Sequence, residues 1–244
     1  MPPTAPRSPL TRPLVIAIDG PSASGKSSTA DAVARALGMV HLDSGALYRG
    51  LTRVALDLAG AATLPAEAID VAAVIAESER RALRLQEDGG RYHAWLDGRP
   101  AEDRIRTAEV TAGVSAVSAV SALREWVDRR LRTTAGAGPG AVVDGRDIGT
   151  VVFPDAPLKI FLIASPAARA RRRLEQRGEP LDRDRLAEET ARLTARDEAD
   201  SRRAVAPLSM AGDALPLDGT DLTFDEQVAW IVARARSIGL GARA

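Results

Sequence analysis

Gly20-Pro21-Ser22-Ala23-Ser24-Gly25-Lys26-Ser27 places two glycines, a lysine and a hydroxyl at the spacing G-x-x-x-x-G-K-S. Residues of these types at these distances bind phosphate: the glycines let the backbone close around an anion with its N–H groups pointing inward. Lys26 has the reach and charge for β- and γ-phosphates, and the Ser27 hydroxyl, followed by Ser28, can ligate Mg²⁺. Residue choice across the chain points the same way. Of 33 lysines and arginines only Lys26 and Lys159 are lysines, so a chain that otherwise uses arginine puts a compact ammonium where a phosphate cradle needs one.

The flanks of this loop have the character needed to position it. Leu14 to Ile18 is an apolar, β-branched run that reads as a buried strand, and Ala30, Val33, Ala34 and Leu37 repeat at i, i+3, i+4, i+7 after the loop. The loop therefore joins a strand to a helix packed by one face, whose positive N-terminal end faces the phosphates. Met39 to Leu42 reads as a second short strand. Asp43-Ser44-Gly45 and a helix carrying Leu47, Tyr48, Leu51, Val54, Ala55 and Leu58 follow it. This βαβα opening predicts an α/β protein with a parallel sheet covered by helices. His41, in the second strand, reads as structural, since nothing near it in sequence completes a metal or nucleophile site.

Further along, residues 65–80 read as helical. Ala82 to Gln86, Tyr92 to Leu96 and Arg99 to Ile105, with turns at Asp88-Gly89-Gly90 and Asp97-Gly98, read as a small antiparallel meander inserted into the α/β chain. Val-Ser-Ala occurs three times over 114–122 and continues through Leu123, Trp126, Val127 and Leu131 as one amphipathic helix, closed by a glycine-rich breaker over 135–140. Ala141 to Val143 and Leu158 to Ile163 read as buried strands, and Ser165-Pro166 as a helix start. The arginine-rich block from Arg169, through Gly178-Glu179-Pro180, reads as a mobile cationic segment before a helix over 185–203. Leu215-Pro216-Leu217 suits an edge strand, because proline cannot donate to a central ladder. Thr223 to Glu226 is a capping box for the last helix, with Val228, Ile231, Val232 and Ala235 on its core face.

Composition bounds the function. The 244 residues include 33 acidic and 33 basic side chains, which argues against a nucleic-acid or membrane partner held by bulk charge. The chain has no cysteine, so neither disulfides nor thiolate metal sites arise. Residues 1–13 hold five prolines and no apolar signal core and read as a disordered tail. A cytoplasmic protein is expected.

A phosphate loop fixes one nucleotide and leaves the second substrate open. Ser44 to Arg49 and Asp144 to Asp147 each follow a strand end, where open α/β sheets bind ligands. Asp144 to Asp147 reads equally as a polar turn. Arg196, Asp200 and Arg203 share one helical face, which by itself fits either an acceptor site or a solvated ion-pair ladder.

Taken together, Gly20 to Ser27, Leu42 to Arg49, Asp144 to Pro154 and Arg203 to Leu208 resemble, in order and in register, the bacterial cytidylate kinases among the P-loop nucleoside monophosphate kinases. The resemblance runs from about Leu14 to the last helix. It implies the P-loop three-layer fold, with a core over 14–60 and 107–244, an acceptor-binding insert over 61–106 and a short helical lid over 169–185. It implies transfer of the γ-phosphate of ATP to CMP or dCMP by a monomer, with Mg²⁺ on Ser27 and, through water, Asp144. Gly20 to Ser28 would hold ATP, under Arg169, Arg172 and Arg173 of the lid. Arg49, Arg146 and Arg203 would clamp the CMP phosphate, with Lys26, Arg146 and Arg203 acting on the transferred group. Ser115, Arg124 and Asp147 would read cytosine, and Ser44, Arg196 and Asp200 the ribose. Tyr48, Arg106 and Asp144 would complete the acceptor site. A phosphate oxygen is already anionic near neutral pH, so this chemistry needs positioning and charge neutralisation, not a general base. The rival expectations are a P-loop kinase for UMP, AMP or another small acceptor, and a nucleotide-switch regulator. The second lacks the Asn-Lys-x-Asp guanine signature, for the chain contains no asparagine.

Overall fold

The computed structural model describes residues 14–88 and 91–240. The expected tail over 1–13 and the tip of the Asp88-Gly89-Gly90 turn fall outside the described residues. The chain opens with β1 (Val15–Asp19), α1 (Lys26–Leu37), β2 (Val40–Asp43) and α2 (Ser44–Ala59). Gly38 and Gly60 close the two helices in the left-handed conformation, which glycine adopts without steric cost. A single 3₁₀ turn (Ala66–Ala68) and α3 (Val71–Arg80) stand where one helix was expected. The break falls at Asp70, whose carboxylate accepts from the Ala73 N–H and starts a new helix.

The meander is β3 (Arg84–Asp88), β4 (Arg91–Leu96) and β5 (Arg99–Pro100), paired antiparallel in that order. Its third strand is shorter than expected, because the chain turns into α4 (Glu102–Ile105). Two helices, α5 (Ala108–Ser118) and α6 (Ser121–Ala137), replace the single one expected across the Val-Ser-Ala repeat. The break at Ala119 and Val120 lets Val114 and Val117 pack from one axis and Leu123, Trp126 and Leu131 from another, all in one core. The glycine-rich breaker accordingly begins only at Gly138. There follow β6 (Ala141–Gly145), a π turn (Ile148–Val152), β7 (Leu158–Ile163), α7 (Pro166–Arg177), α8 (Arg183–Ser201), β8 (Leu215–Asp218) and α9 (Phe224–Ser237). The arginine block from Arg169 is thus a regular helix, started by Ser165 and Pro166 and stopped by left-handed Gly178.

The main sheet has the order β2-β6-β1-β7-β8, and all its strands run parallel. β8 is an edge strand, as Pro216 requires. Alternation along β1 feeds two cores: Val15 and Ala17 pack with α2, α5, α6 and the meander, while Ile16 and Ile18 pack with α1 and α9. The meander residues Leu85, Ala94 and Leu96 belong to the first of these cores. Register then sets the chemistry at the strand ends. Asp19 lies opposite Gly145 and Asp43 opposite Asp144, so the phosphate loop, Ser44 and the Asp144 to Asp147 turn emerge side by side. The chain crosses from one side of β1 to the other here, which is where a parallel sheet leaves a crevice for ligands. No helix among the described residues is long and apolar enough to cross a membrane.

Candidate functional site

At the end of β1 the chain turns at Gly20, with φ +150° and the Leu162 carbonyl oxygen 2.0 Å from where a Cβ would sit. Only glycine fits that approach. Ala23 has φ +59°, a left-handed conformation that costs a residue with a Cβ about 1–2 kcal/mol. Gly25, also left-handed, leads directly into α1. Lys26 is buried over its own loop, donating to the Pro21 carbonyl at 2.6 Å and the Ser24 hydroxyl at 3.3 Å. Burial, reinforced by the nearby Arg146 charge, pushes its pKa well below the usual lysine value. An anion in the cleft would reverse that pressure.

Beside the loop, Ser27 Oγ donates to Asp144 Oδ2 at 2.7 Å and His41 Nε2 bonds Asp144 Oδ1 at 2.7 Å. Ser44 Oγ donates to the Asp144 carbonyl at 2.7 Å. Burial opposes charge on Asp144, but the bond to His41, the His41 charge, Ser27 and Lys26 outweigh it and hold its pKa below the usual value. His41 does not line the cleft, but across 103 residues of sequence it backs Asp144, which does. No group of three or more His, Cys, Asp or Glu that could hold a metal exists among the described residues. One hydroxyl and one carboxylate are hard oxygen donors that suit Mg²⁺ shared with substrate phosphates, and do not suit an all-protein cage.

A cleft of about 790 Å³ runs from this loop past the ends of β2 and β6, lined by ten basic side chains and four carboxylates. The chain is neutral overall, so its positive charge is concentrated here. At one end Arg124 and Asp147, both buried, form an ion pair through Arg124 Nη2 and Asp147 Oδ2. Arg124 Nη1 also donates to the Ser118 carbonyl at 2.9 Å, and its guanidinium lies 5.3 Å from the centre of the Tyr48 ring. Next to this pair, Asp200 is 1% exposed and bridges two arginines, Arg203 through Oδ1 and Arg146 through Oδ2 at 2.9 Å. Arg49 donates to Thr111 Oγ1 at 2.8 Å, and Arg106 pairs with Asp43 at 3.3 Å and Glu102 at 2.6 Å. Arg196 is different: its Nε is buried with no partner, and burial with the Arg146 charge pushes its pKa down to about 10. A half-buried guanidinium with its Nε unsatisfied, crowded by Arg146 and opposed nearby by Asp200, favours a further anion beside it.

Most residues expected in the site are brought together: 22–28 of the loop, Ser44, Tyr48, Arg49, Arg106, Arg124, Asp144, Arg146, Asp147, Arg172, Arg173, Arg196, Asp200 and Arg203 all line the cleft. Gly20 and Pro21 shape the loop from beneath. Two residues lie elsewhere. Ser115 is not in the lining, where α5 presents Thr111, Val114 and Ser118 instead. Arg169, expected over ATP, is 4% exposed and outside the lining; its guanidinium turns onto the Ser22 carbonyl, Asp197 and the Ala164 carbonyl. Sequence reasoning missed Gln176 and Arg177 on the cleft face of α7, one turn beyond Arg172 and Arg173, which helical spacing could have supplied. It also missed Leu222, Phe224 and Gln227 at the start of α9.

A parallel sheet with a phosphate loop at its switch point, facing a second cluster of arginines, defines a P-loop phosphotransferase. The family model described as Cytidylate kinase matches residues 16–237. The chain is 44% identical over 234 residues to a cytidylate kinase of Pseudomonas paraeruginosa, covering 92% of this chain and 96% of that one. It is 45% identical over 223 residues to one of Mycobacterium leprae, covering 90% and 94%. With one of Porphyromonas gingivalis it shares 38% over 237 residues, covering 94% and 99%. This chain belongs to the cytidylate kinase family.

Proposed function

We propose that the chain transfers the γ-phosphoryl group of ATP to CMP or dCMP, with ATP on the loop 20–28 and the acceptor between α2, α5, α6 and α8. The observation that carries this reading is one continuous cleft joining the phosphate loop to the Arg124–Asp147 and Arg146–Asp200–Arg203 clusters. Arg49, Arg146 and Arg203 bind the CMP phosphate, and Arg196 supplies its unpartnered Nε to the same charge or to the ribose, alongside Ser44 and Asp200. The Asp147 carboxylate, paired with Arg124, accepts hydrogen bonds, which suits the cytosine amino group. Arg124 only donates, which suits the N3 and O2 acceptors. Uracil reverses the C4 and N3 positions and leaves both groups mismatched.

The nucleophile is an anionic phosphate oxygen, so these residues position and neutralise it and abstract no proton. Lys26 leaves the Pro21 carbonyl for the transferring phosphoryl oxygens, where a preorganised cation acts on developing charge. Mg²⁺, when bound with ATP, would be held by Ser27, with Asp144 beside it, and would supply charge neutralisation at the phosphates. The meander, as an acceptor-binding insert, and α7 with the turn after it, as a lid carrying Arg172 and Arg173, close over the substrates and exclude water. We assign the protein a cytoplasmic place and a monomeric state. Purified chain offered CMP, dCMP, UMP and AMP with Mg·ATP tests the reading: CMP and dCMP are expected to be used best, and preference for AMP would overturn it.

A further inference from the structure

One residue of the phosphate loop, Ser22, is gripped on both sides from outside the cleft. The Ser22 N–H donates to Asp197 Oδ1 at 2.8 Å, and the Ser22 carbonyl accepts from Arg169 Nη1 at 2.8 Å. The two side chains pair with each other at 2.5 Å, and Arg169 Nε is anchored on the Ala164 carbonyl at 3.0 Å. Ser22 lies 175 residues from Asp197 and 147 from Arg169, so neither local turn chemistry nor the helices themselves require these contacts. The Ser22 N–H belongs to the Pro21–Ser22 peptide and the Ser22 carbonyl to the Ser22–Ala23 peptide, so holding both fixes the two peptide planes that meet at the Ser22 Cα. The second of these planes carries the Ala23 N–H, so it sets the direction in which the N–H groups of the loop begin, at left-handed Ala23.

The other end of the grip is the acceptor site. Asp197 sits on α8 between Arg196 and Asp200, which both line the cleft, and Arg169 sits on α7 below Arg172 and Arg173. Neither Asp197 nor Arg169 lines the cleft, so anything they do to substrates passes through Ser22 or through their helices. We propose that Arg169 and Asp197 are a positioning pair that couples the two substrate sites, so that nucleotide on the loop and CMP against α8 each tighten the other. The pair acts as a link because a shift of α8 moves Asp197 Oδ1 against the Ser22 N–H, and a phosphate that orders the loop holds α8 in return. This coupling rests on the assignment of ATP to the loop and CMP to α8. A buried ion pair is by itself weak evidence for stability, whereas contacts confined to the backbone of one residue of a ligand loop are what a link requires.

Calorimetry on the full chain reads the coupling. CMP is titrated with and without a Mg²⁺-bound, non-hydrolysable β,γ-imido analogue of ATP, and the analogue with and without CMP. In the wild type each ligand is expected to strengthen the other by the same factor, about tenfold, since such coupling is reciprocal. In Asp197→Asn and Arg169→Lys, checked for folding by circular dichroism, that factor is expected to fall to about twofold or less, with CMP binding alone changed by less than about threefold. A brace that served stability only would lower the melting temperature and leave the factor intact, and that result in both variants overturns the proposal. So does a wild type in which the two ligands ignore each other. Failure of the wild type to bind CMP at all is a different failure, for it removes the functional reading and the coupling with it.

Discussion

At the acceptor end of the cleft, Arg124, Arg146 and Arg203 each meet a buried carboxylate, Asp147 or Asp200. At the donor end Lys26 hydrogen-bonds the Pro21 carbonyl and the Ser24 hydroxyl, with Asp144 and Asp19 near it as charges, and Arg172 hydrogen-bonds the backbone carbonyls of Gly219 and Thr220. Arg173 and Arg177 share Glu189, which lies outside the cleft lining. The donor end therefore works through backbone geometry and loosely committed cations, which suits a triphosphate common to many kinases. The acceptor end fixes Arg124, Arg146 and Arg203 with carboxylates before any ligand arrives, and leaves Arg49 on a hydroxyl and the Arg196 Nε open to the incoming charge. Fixed pairs of opposite charge present donors and acceptors at set places, and that is what telling one base from another needs.

The contrast can be broken most severely at the donor end. Lys26→Ala is expected to lower kcat by about 10²–10³, as loss of a transition-state donor does, with the fold kept because the lysine's bonds are to its own loop. Near-normal turnover, followed by coupled spectrophotometric assay, would remove the loop from the chemistry. The acceptor end is sharpened by Asp147→Ala, which leaves Arg124 buried without its partner. It is expected to cut kcat/KM for CMP by about 10²-fold more than for UMP, since a site with matched polar groups discriminates strongly and a mismatched one does not. Equal losses for the two acceptors would mean that Asp147 holds Arg124 or Arg146 and does not read the base.

Asp200→Ala has a smaller expected effect that separates two duties of one side chain. Its oxygens are occupied by Arg146 and Arg203, so kcat/KM should fall for CMP and dCMP alike by about tenfold, the worth of a hydrogen bond to a charged group. A ribose contact adds a further few-fold loss for CMP alone. An unchanged CMP:dCMP ratio would leave Asp200 as the organiser of two arginines and nothing more.

What the sequence revealed follows the same division. The loop was legible because its parts are contiguous and its flanks are amphipathic; Gly20, Gly25 and Lys26 need no distant partner to be recognised. Asp144, Arg146 and Asp147 were visible at a strand end, and their membership of a phosphotransfer site came from the resemblance of whole motifs. Arg169 misled, because an arginine in a basic run looks the same whether it faces solvent, nucleotide or a peptide carbonyl 147 residues away. The partner of His41 was hidden for the same reason, since Asp144 comes beside it only when β2 pairs with β6. The break between α5 and α6 was hidden by the repeat, whose apolar period continues smoothly through Ala119 and Val120 while the backbone changes direction.

Ten bases and four acids around one cleft in a chain with equal charges make the molecule a dipole. Seen from several Debye lengths away it is invisible to an anion; at about 10 Å, in ordinary salt, the cleft alone is felt. Both nucleotides are anions, so their encounter rates respond to ionic strength at the mouth of the cleft, although the protein as a whole has no net charge with which to attract them.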